Sequence, residues 1–152
     1  MMQRLLHGIE KPGRYVGNEI NAYRKGFDEA EVRFVLAFPD TYEVGLSHLG
    51  LRLLYHQLNA MEAVMADRVY APWPDFERRL GDTGEPLRSI ESKRVLCEFD
   101  FVGVTLQYEL SYTNILTILD LGRVPLRAED RDTRHPWVIA GGPCAFNPEP
   151  LA

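Results

Sequence analysis

The sequence predicts an α/β protein with a three-layer, Rossmann-like (flavodoxin-like) parallel sheet. Apolar runs at 32–38, 99–106 and 137–140 are typical of strands that are buried on both faces. Segments with helical spacing of apolar residues lie between them, at 46–61 and 111–121. This alternation indicates right-handed crossovers between parallel strands, and the strand order 2-1-3-4 fits it best.

Composition and charge exclude several classes of protein. The 152 residues are 45% apolar and 26% charged, which suits one globular domain with a core. A net charge of -5 argues against a nucleic-acid partner, and no window approaches the length of a membrane span. Two isolated cysteines, Cys97 and Cys144, and the absence of a signal-peptide pattern favour a cytoplasmic protein.

The chain divides into an N-terminal arm at 1–30 and an α/β domain at 31–152. In the arm we expect a short helix at 2–9, broken by Lys11-Pro12-Gly13, and two buried aromatic side chains at Tyr15 and Tyr23. The last segment leaves a strand as a loop without a covering helix. We therefore expect a fifth strand beyond residue 152 and interpret the sequence as part of a longer chain.

The first strand and the helix after it are the most distinctive elements. Strand 32–38 ends at Pro39, a turn occupies 40–45, and Ser47 is the expected N-cap of the following helix. The spacing predicts that one helix face is buried, formed by Leu46, Leu49, Leu53, Leu54, Leu58 and Met61. The other face would then carry His48, Arg52, Tyr55 and Asn59.

The later elements follow from the same rules. We expect a strand at 68–71, a helix at 74–80 ended by Gly81, an extended piece at 87–90, and strands at 99–106 and 137–140. A helix capped by Ser111 or Thr113 should run to Leu121, with an inner face formed by Ile115, Leu116 and Leu119.

In the order 2-1-3-4 the switch point lies between strands 1 and 3, and ligands bind at the carboxyl ends of strands there. The polar loops that meet at this edge contain the candidate binding residues, namely Asp40, Tyr42, Gly45, Thr105, Gln107, Gly141 and Gly142. Each also has an ordinary structural explanation as a capped turn, a strand end or a glycine turn. No catalytic residue and no metal ligand is predicted.

Other chemistry-bearing residues carry less weight. His48 and His56 lie about two helical turns apart, but histidines on an outer helix face are usually solvated. Cys144 follows the glycine pair, where structural burial is the ordinary role of a thiol. No phosphate-loop, dinucleotide or hydrolase motif occurs. The chain therefore resembles a binding domain more than a complete catalyst.

Three signals share the carboxyl edge: D-x-Y-x-x-G after strand 1, T-x-Q after strand 3 and Gly-Gly after strand 4. Together they resemble the cobalamin-binding domain, which carries D-x-H-x-x-G, S-x-L and Gly-Gly at these places. Longer stretches resemble the N-terminal region of a family of radical SAM proteins in which such a domain precedes the catalytic barrel. These stretches are PGRYVGNEINAYRK, FPDTYEVGLSHLGLRLLYHQLN, YAPWPD, LQYELSYTNILTILDL and VIAGGPCAFNPEPLA.

The resemblance assigns roles to individual residues, and it departs from the family pattern at one of them. The positions that match are Asp40, Gly45, Thr105, Gly141 and Gly142, with Thr105 at the hydroxyl position that contacts the base of the cobalamin tail. Tyr42 stands where the cobalt-ligating histidine would be. A protonated phenol, with a pKa near 10, is a poor metal ligand.

The resemblance implies that this domain holds the tail of cobalamin for a radical SAM enzyme, typically one that transfers methyl groups. The iron–sulfur cluster and S-adenosylmethionine would belong to a barrel in the same parent chain, whose C-x-x-x-C-x-x-C motif is absent here. The alternative is a degenerate domain that docks on the barrel or on a partner. A slot open to a base favours the first, and a crevice filled by Tyr42, Gln107 and Tyr108 favours the second.

A flavodoxin-like flavin or nucleotide binder is a third hypothesis. Such proteins need a loop after strand 1 that is rich in glycine and hydroxyl groups, because its backbone and side chains bind phosphate. The loop here, PDTYEV, has one threonine and no central glycine. We therefore rank this hypothesis behind the other two.

Overall fold

A four-stranded parallel sheet forms the centre of the computed structural model, which describes residues 2–151. Its order is β2-β1-β3-β4, with β1 at Val32–Phe38, β2 at Val64–Tyr70, β3 at Phe101–Thr105 and β4 at Trp137–Gly141. The helices are α1 (Met2–Leu6), α2 (Tyr42–Ser47), α3 (Leu49–Ala60), α4 (Pro74–Thr83) and α5 (Tyr112–Leu121). Short 3-10 turns occur at Pro12–Tyr15, Leu96–Glu98, Glu109–Ser111, Ala128–Asp130 and Pro143–Phe146. The predicted fold class and strand order are confirmed.

Helices cover both faces of the sheet, and each face has its own core. Because side chains alternate along a strand, Leu36 and Phe38 of β1 point to one face and Val35 and Ala37 to the other. The first face packs against α3 and is called the α3 face below. The second face packs against α1, α4 and α5 and holds the larger core.

The α3 face is covered unevenly. Helix α3 lies over β1 and β2, whereas the same face of β3 and β4 has no helix over it among residues 2–151. Trp137 and Ile139, the β4 side chains on this face, are accordingly 73% and 46% exposed. A groove therefore runs between α3 and β4, along the floor that β3 provides.

The predicted inner face of the helix after β1 is wrong. Leu49 is 65% exposed, and Leu53, Leu54 and Met61 are also exposed, whereas Leu51, Tyr55 and Asn59 are buried. The buried amide of Asn59 is fully used, because its Nδ2 donates to the carbonyls of Tyr55 (3.0 Å) and Ala66 (2.9 Å). Its Oδ1 accepts from the Ala66 amide at 3.1 Å. Hydropathy alone could not show that a paired polar side chain belongs inside.

The helix after β1 also begins earlier than predicted and is interrupted. Helix α2 starts at Tyr42, inside the segment predicted as a turn, and the extended backbone of His48 separates α2 from α3. His48, and not Ser47, caps α3, because its imidazole Nδ1 accepts from the amide of Leu51 at 3.1 Å. The hydroxyl of Ser47 instead donates to the carbonyl of Val44 at 2.8 Å.

Strand β2 begins at Val64, four residues before the predicted start at Arg68, and its middle carries two buried charged residues. Asp67 and Arg68 interrupt the apolar pattern, yet both are almost fully buried. Arg68 pairs with Glu91 and with Glu19, the latter at 2.7 Å. Asp67 accepts hydrogen bonds from the amides of Glu91 (2.9 Å) and Ser92 (2.8 Å) and from the Ser92 hydroxyl (2.6 Å). These five residues are called the ionic cluster below.

The remaining elements differ from the predictions mainly at their ends. Helix α1 ends at Leu6, strand β3 covers only Phe101–Thr105, and 87–90 contributes one isolated bridge, from Arg88 to Val95. Helix α4 continues past Gly81 to Thr83, where Gly84 adopts the left-handed conformation that ends helices. In α5, Ile118 replaces Leu116 on the buried face.

The N-terminal arm packs along the domain. The Tyr15 ring stacks on Phe76 with centroids 3.9 Å apart, and its hydroxyl accepts from the amide of Trp73 at 3.0 Å. Tyr23 is half-buried, and its amide donates to the hydroxyl of Tyr55 at 2.9 Å. Tyr15 is therefore buried as predicted, whereas Tyr23 is only partly covered.

The ionic cluster predicts how stability depends on pH. Burial and the adjacent Asp67 raise the pKa of Glu91 to about 9, from an ordinary value of 4.5. The folded state therefore binds more protons than the unfolded chain between about pH 5 and pH 9, and the free energy of unfolding falls as the pH rises through that window. Glu91→Gln removes this titration, so urea unfolding across the window should show a flatter pH profile.

The titration of one proton lowers the free energy of unfolding by at most about 1.4 kcal/mol per pH unit. Hydrogen bonds lower the pKa of Asp67 although burial opposes this, so Asp67 affects stability only in the acidic range. Glu77→Gln, at an exposed position of α4, is the matched control and should keep the wild-type profile. An unchanged slope in Glu91→Gln would contradict the assignment.

Candidate functional site

The loops after β1 and β3 lie together at the carboxyl edge of the sheet. The hydroxyl of Tyr108 donates to Oδ2 of Asp40 at 3.2 Å, and Nδ2 of Asn114 donates to the carbonyl of Pro39 at 3.0 Å. The other carboxylate oxygen of Asp40, Oδ1, accepts from the amide of Thr41 at 2.6 Å. The side chain of Asp40 therefore holds the two loops against each other.

Tyr42 points into the arm. Its hydroxyl donates to Oε1 of Glu19 at 2.8 Å, and its ring meets the buried ring of Tyr70 edge-on, with centroids 5.3 Å apart. Burial and the negative charge of Glu19 raise the pKa of Tyr42 to about 12. The phenol is thus a neutral hydrogen-bond donor to the arm and has no oxygen anion with which to bind a metal.

Gly45 is explained by packing. A Cβ atom built at Gly45 would lie 2.4 Å from the ring of Tyr70 and 3.0 Å from that of Phe38. Both rings are buried, so neither has space to move away. The hydroxyl of Tyr70 is itself buried and has no hydrogen-bond partner among residues 2–151.

The two glycines after β4 have different reasons to be glycine. Gly142 has φ of +116°, and a Cβ atom there would lie 2.3 Å from the carbonyl oxygen of Leu106. The neighbouring amide of Cys144 donates to that same oxygen at 3.2 Å, so the loops after β3 and β4 are joined backbone to backbone. A Cβ atom at Gly141 would meet nothing within 4 Å, because this residue borders the open groove.

The groove between α3 and β4 is the concave site at this edge, with a volume of about 400 Å³. Its lining is mostly apolar, and its polar residues, His48, Thr105 and Gln107, belong to the loops at the carboxyl edge or to the strand end. The apolar part comprises Phe34, Leu36, Gly50, Leu51, Leu54, Leu58, Gly103, Val104, Ile139 and Ala140. Gly141 and Gly142 complete it, whereas Tyr42 and Tyr108 are not part of the lining.

The structure therefore separates the predicted site residues into two groups. Four of them line the groove: Thr105, Gln107, Gly141 and Gly142. The other three, Asp40, Tyr42 and Gly45, hold the loop, the arm and the core together. The distinction depends on side-chain direction in a loop that follows a strand, which motif spacing does not specify.

Gly103 and His48 also line the groove and were not among the predicted site residues. Gly103 lies in the middle of β3, where a Cβ atom would be 2.5 Å from the ring of Phe34. A glycine inside a buried strand is a recognised signal of close approach, so this one could have been noticed. His48 was assigned to a solvated helix face, and its role as a cap was hidden because histidine is an uncommon N-cap residue.

Other candidate chemistry finds no support in the described part of the chain. No group of three or more His, Cys, Asp or Glu residues is arranged to hold a metal among residues 2–151. Cys144 is buried, and Tyr112 donates to its carbonyl at 3.3 Å.

A larger pocket of about 820 Å³ lies between α5 and β4 on the opposite face, away from the predicted site residues. None of the helices described is long and apolar enough to cross a membrane.

Comparison with protein families gives a match over most of the chain. The family described as radical SAM proteins, N-terminal, matches residues 50–152, which is more than half of the chain. The matched region includes α3 from its second residue, β3, β4 and all four predicted residues that line the groove, whereas the loop with Asp40, Tyr42 and Gly45 lies outside it. No match was found among curated proteins or among solved structures.

The contact of Tyr42 with the arm predicts a stability effect. Tyr42→Phe removes the hydroxyl that donates to Glu19, and we expect the free energy of unfolding to fall by about 1 kcal/mol in urea titrations. Combining Tyr42→Phe with Glu19→Gln in a double-mutant cycle should show that the two effects are coupled. Additive effects of the two substitutions would contradict this hydrogen bond.

The glycine pair offers a matched comparison. Gly142→Ala places a Cβ atom against the Leu106 carbonyl at a left-handed φ, so we expect a loss of about 3 kcal/mol in stability. Gly141→Ala adds the same atom in open space and should change the stability by less than about 0.5 kcal/mol. Thermal and urea unfolding measure both variants. Equal losses in the two would contradict the different roles.

Proposed function

Because this chain belongs to the family of N-terminal regions of radical SAM proteins, we propose that it is an accessory domain that binds the nucleotide tail of a corrinoid. The radical SAM catalytic domain would follow in the same parent chain. The tail would lie in the groove between α3 and β4, at the switch point of the sheet. The corrinoid, when bound, supplies a cobalt centre that carries a methyl group.

The observation that carries this proposal is the open groove with its polar end. Ligand pockets are commonly about 300–1,000 Å³, mostly apolar, with a few polar groups that fix orientation. This groove has a volume of about 400 Å³ and has Thr105, Gln107 and His48 at its polar positions. A flat base suits the apolar floor beside Gly103, and the sugar and phosphate suit the polar end.

The residues of the groove fit the tail of a corrinoid better than its cobalt. Gly141 leaves space on the lining where a side chain would otherwise stand, and Thr105 supplies a hydroxyl beside it. In contrast, the loop after β1 offers no nitrogen ligand, because Tyr42 donates to Glu19 and faces the arm. We propose that the protein contributes no lower ligand to the cobalt from this loop.

The catalytic iron–sulfur cluster and S-adenosylmethionine would belong to the catalytic domain. Radical SAM chemistry needs a cluster held by three cysteines, and the two cysteines here, Cys97 and Cys144, lie on different elements. The contribution of this domain would be to bind and orient the tail and to keep water from the apolar floor of the groove.

A second candidate function is a docking module that has lost the cofactor. Two observations favour it: Tyr42 is committed to the arm, and Leu49 and Leu53 are exposed on α3. In that case the groove would hold protein side chains from the catalytic domain or from another partner. The open groove, which Tyr42 and Tyr108 do not fill, favours the corrinoid.

A binding experiment distinguishes the two functions. The full-length protein is incubated with hydroxocobalamin, desalted, and examined by its visible spectrum. We expect a retained corrinoid with wild-type protein and with Tyr42→Phe, since Tyr42 does not line the groove. Gly141→Leu should abolish retention, because its side chain fills the groove while a Cβ atom at this position meets nothing within 4 Å.

The control ligand is cobinamide, a corrinoid without the nucleotide tail. It should bind weakly to the wild type, and its affinity should not change in Gly141→Leu, because the groove holds only the tail. If the wild type retained no cobalamin, the docking function would be favoured. If Gly141→Leu retained cobalamin as well as the wild type does, the groove would not be the binding site.

A further inference from the structure

His48 is held in a defined orientation at the start of α3. Its Nδ1 accepts a hydrogen bond from the backbone amide of Leu51 at 3.1 Å, which requires an unprotonated Nδ1. In the neutral imidazole the proton is then on Nε2, and that nitrogen is a hydrogen-bond donor. The fold therefore selects the tautomer of this ring.

The ring is also restrained by its neighbours. It packs against Phe38, with ring centroids 5.0 Å apart, and a Cβ atom built at Gly50 would come within 3.0 Å of its Cε1. Phe38 is buried, so the contact surface below His48 is rigid. Gly50 leaves the space that the imidazole occupies.

The donor is available to the groove. His48 lines the groove together with Thr105 and Gln107, and it is only partly buried. Within residues 2–151 the hydrogen bond to Leu51 is the one that its ring makes, which leaves Nε2–H free. An oriented N–H beside an apolar groove suits an acceptor oxygen on a ligand.

We propose that His48 is a ligand-binding residue whose Nε2–H donates a hydrogen bond to an oxygen of the ribose phosphate of the bound tail. The inference rests on the proposed function, since it names the residue that recognises the ligand of the same groove. The base enters the apolar floor near Gly103, and the polar sugar phosphate remains near His48 and Gln107. The hydrogen bond fixes how far the tail enters the groove.

The substitution His48→Asn separates binding from folding. Asparagine is a favoured N-cap residue, and its Oδ1 takes over the hydrogen bond from the Leu51 amide. Its side chain is too short to place a donor where Nε2 stands. We therefore expect His48→Asn to melt at a higher temperature than His48→Ala, because it keeps the cap, and to weaken cobalamin binding about tenfold in a spectroscopic titration of the full-length protein.

Three comparisons make the test specific. His48→Ala loses both the cap and the donor, so it should melt at a lower temperature and bind as weakly as His48→Asn. Gln57→Ala, at an exposed position of the same helix, should change neither quantity. The affinity for cobinamide, which has no ribose phosphate, should be the same in every variant.

The outcomes are decisive in each direction. The inference is overturned if His48→Asn binds cobalamin as tightly as the wild type, or if only His48→Ala loses affinity, since the cap would then be the cause. An equal loss of cobinamide affinity would also overturn it. The proposed function fails separately, when the wild type itself binds no cobalamin, and the inference then falls with it.

Discussion

The buried guanidinium of Arg68 joins four parts of this molecule. It projects from β2, pairs with Glu19 of the arm and Glu91 of the loop after α4, and lies over the ring of Tyr55 in α3, with its Cζ 4.4 Å from the ring centroid. Removing a partner from such a cluster is strongly destabilising, because it leaves a buried charge without part of its compensation. The arm, β2, α3 and the loop after α4 therefore form one unit.

This unit also determines what the loop after β1 contributes. Glu19, held by Arg68, accepts the hydrogen bond of Tyr42, and Tyr42 packs on Tyr70, which in turn excludes any side chain at Gly45. The loop after β1, which its sequence motif assigns to ligand binding, thus packs against the N-terminal arm. The open groove lies on the far side of α3, where no charged residue of the cluster reaches.

The alternation of apolar strands and helical segments predicted the parallel sheet and its order, because these depend on burial and on crossover handedness alone. The prediction from apolar patterns failed where polar side chains are buried. The buried carboxylate of Asp67 concealed the first half of β2, because its partners lie more than 20 residues further along the chain. Asn59 and Tyr55 concealed the inner face of α3, because the hydrogen bonds that satisfy their side chains cannot be inferred from hydropathy. The role of His48 as a helix cap was likewise not predicted, because capping depends on local backbone geometry.

The sequence by itself determined the α/β class, the strand order and four residues of the groove, Thr105, Gln107, Gly141 and Gly142. Strand ends and glycine pairs mark the carboxyl edge wherever a parallel sheet forms. Only the tertiary structure decided that Tyr42 faces the arm, that Gly45 and Gly142 serve packing, and that His48 borders the groove. These outcomes depend on side-chain direction, which is fixed by contacts between residues far apart in the chain.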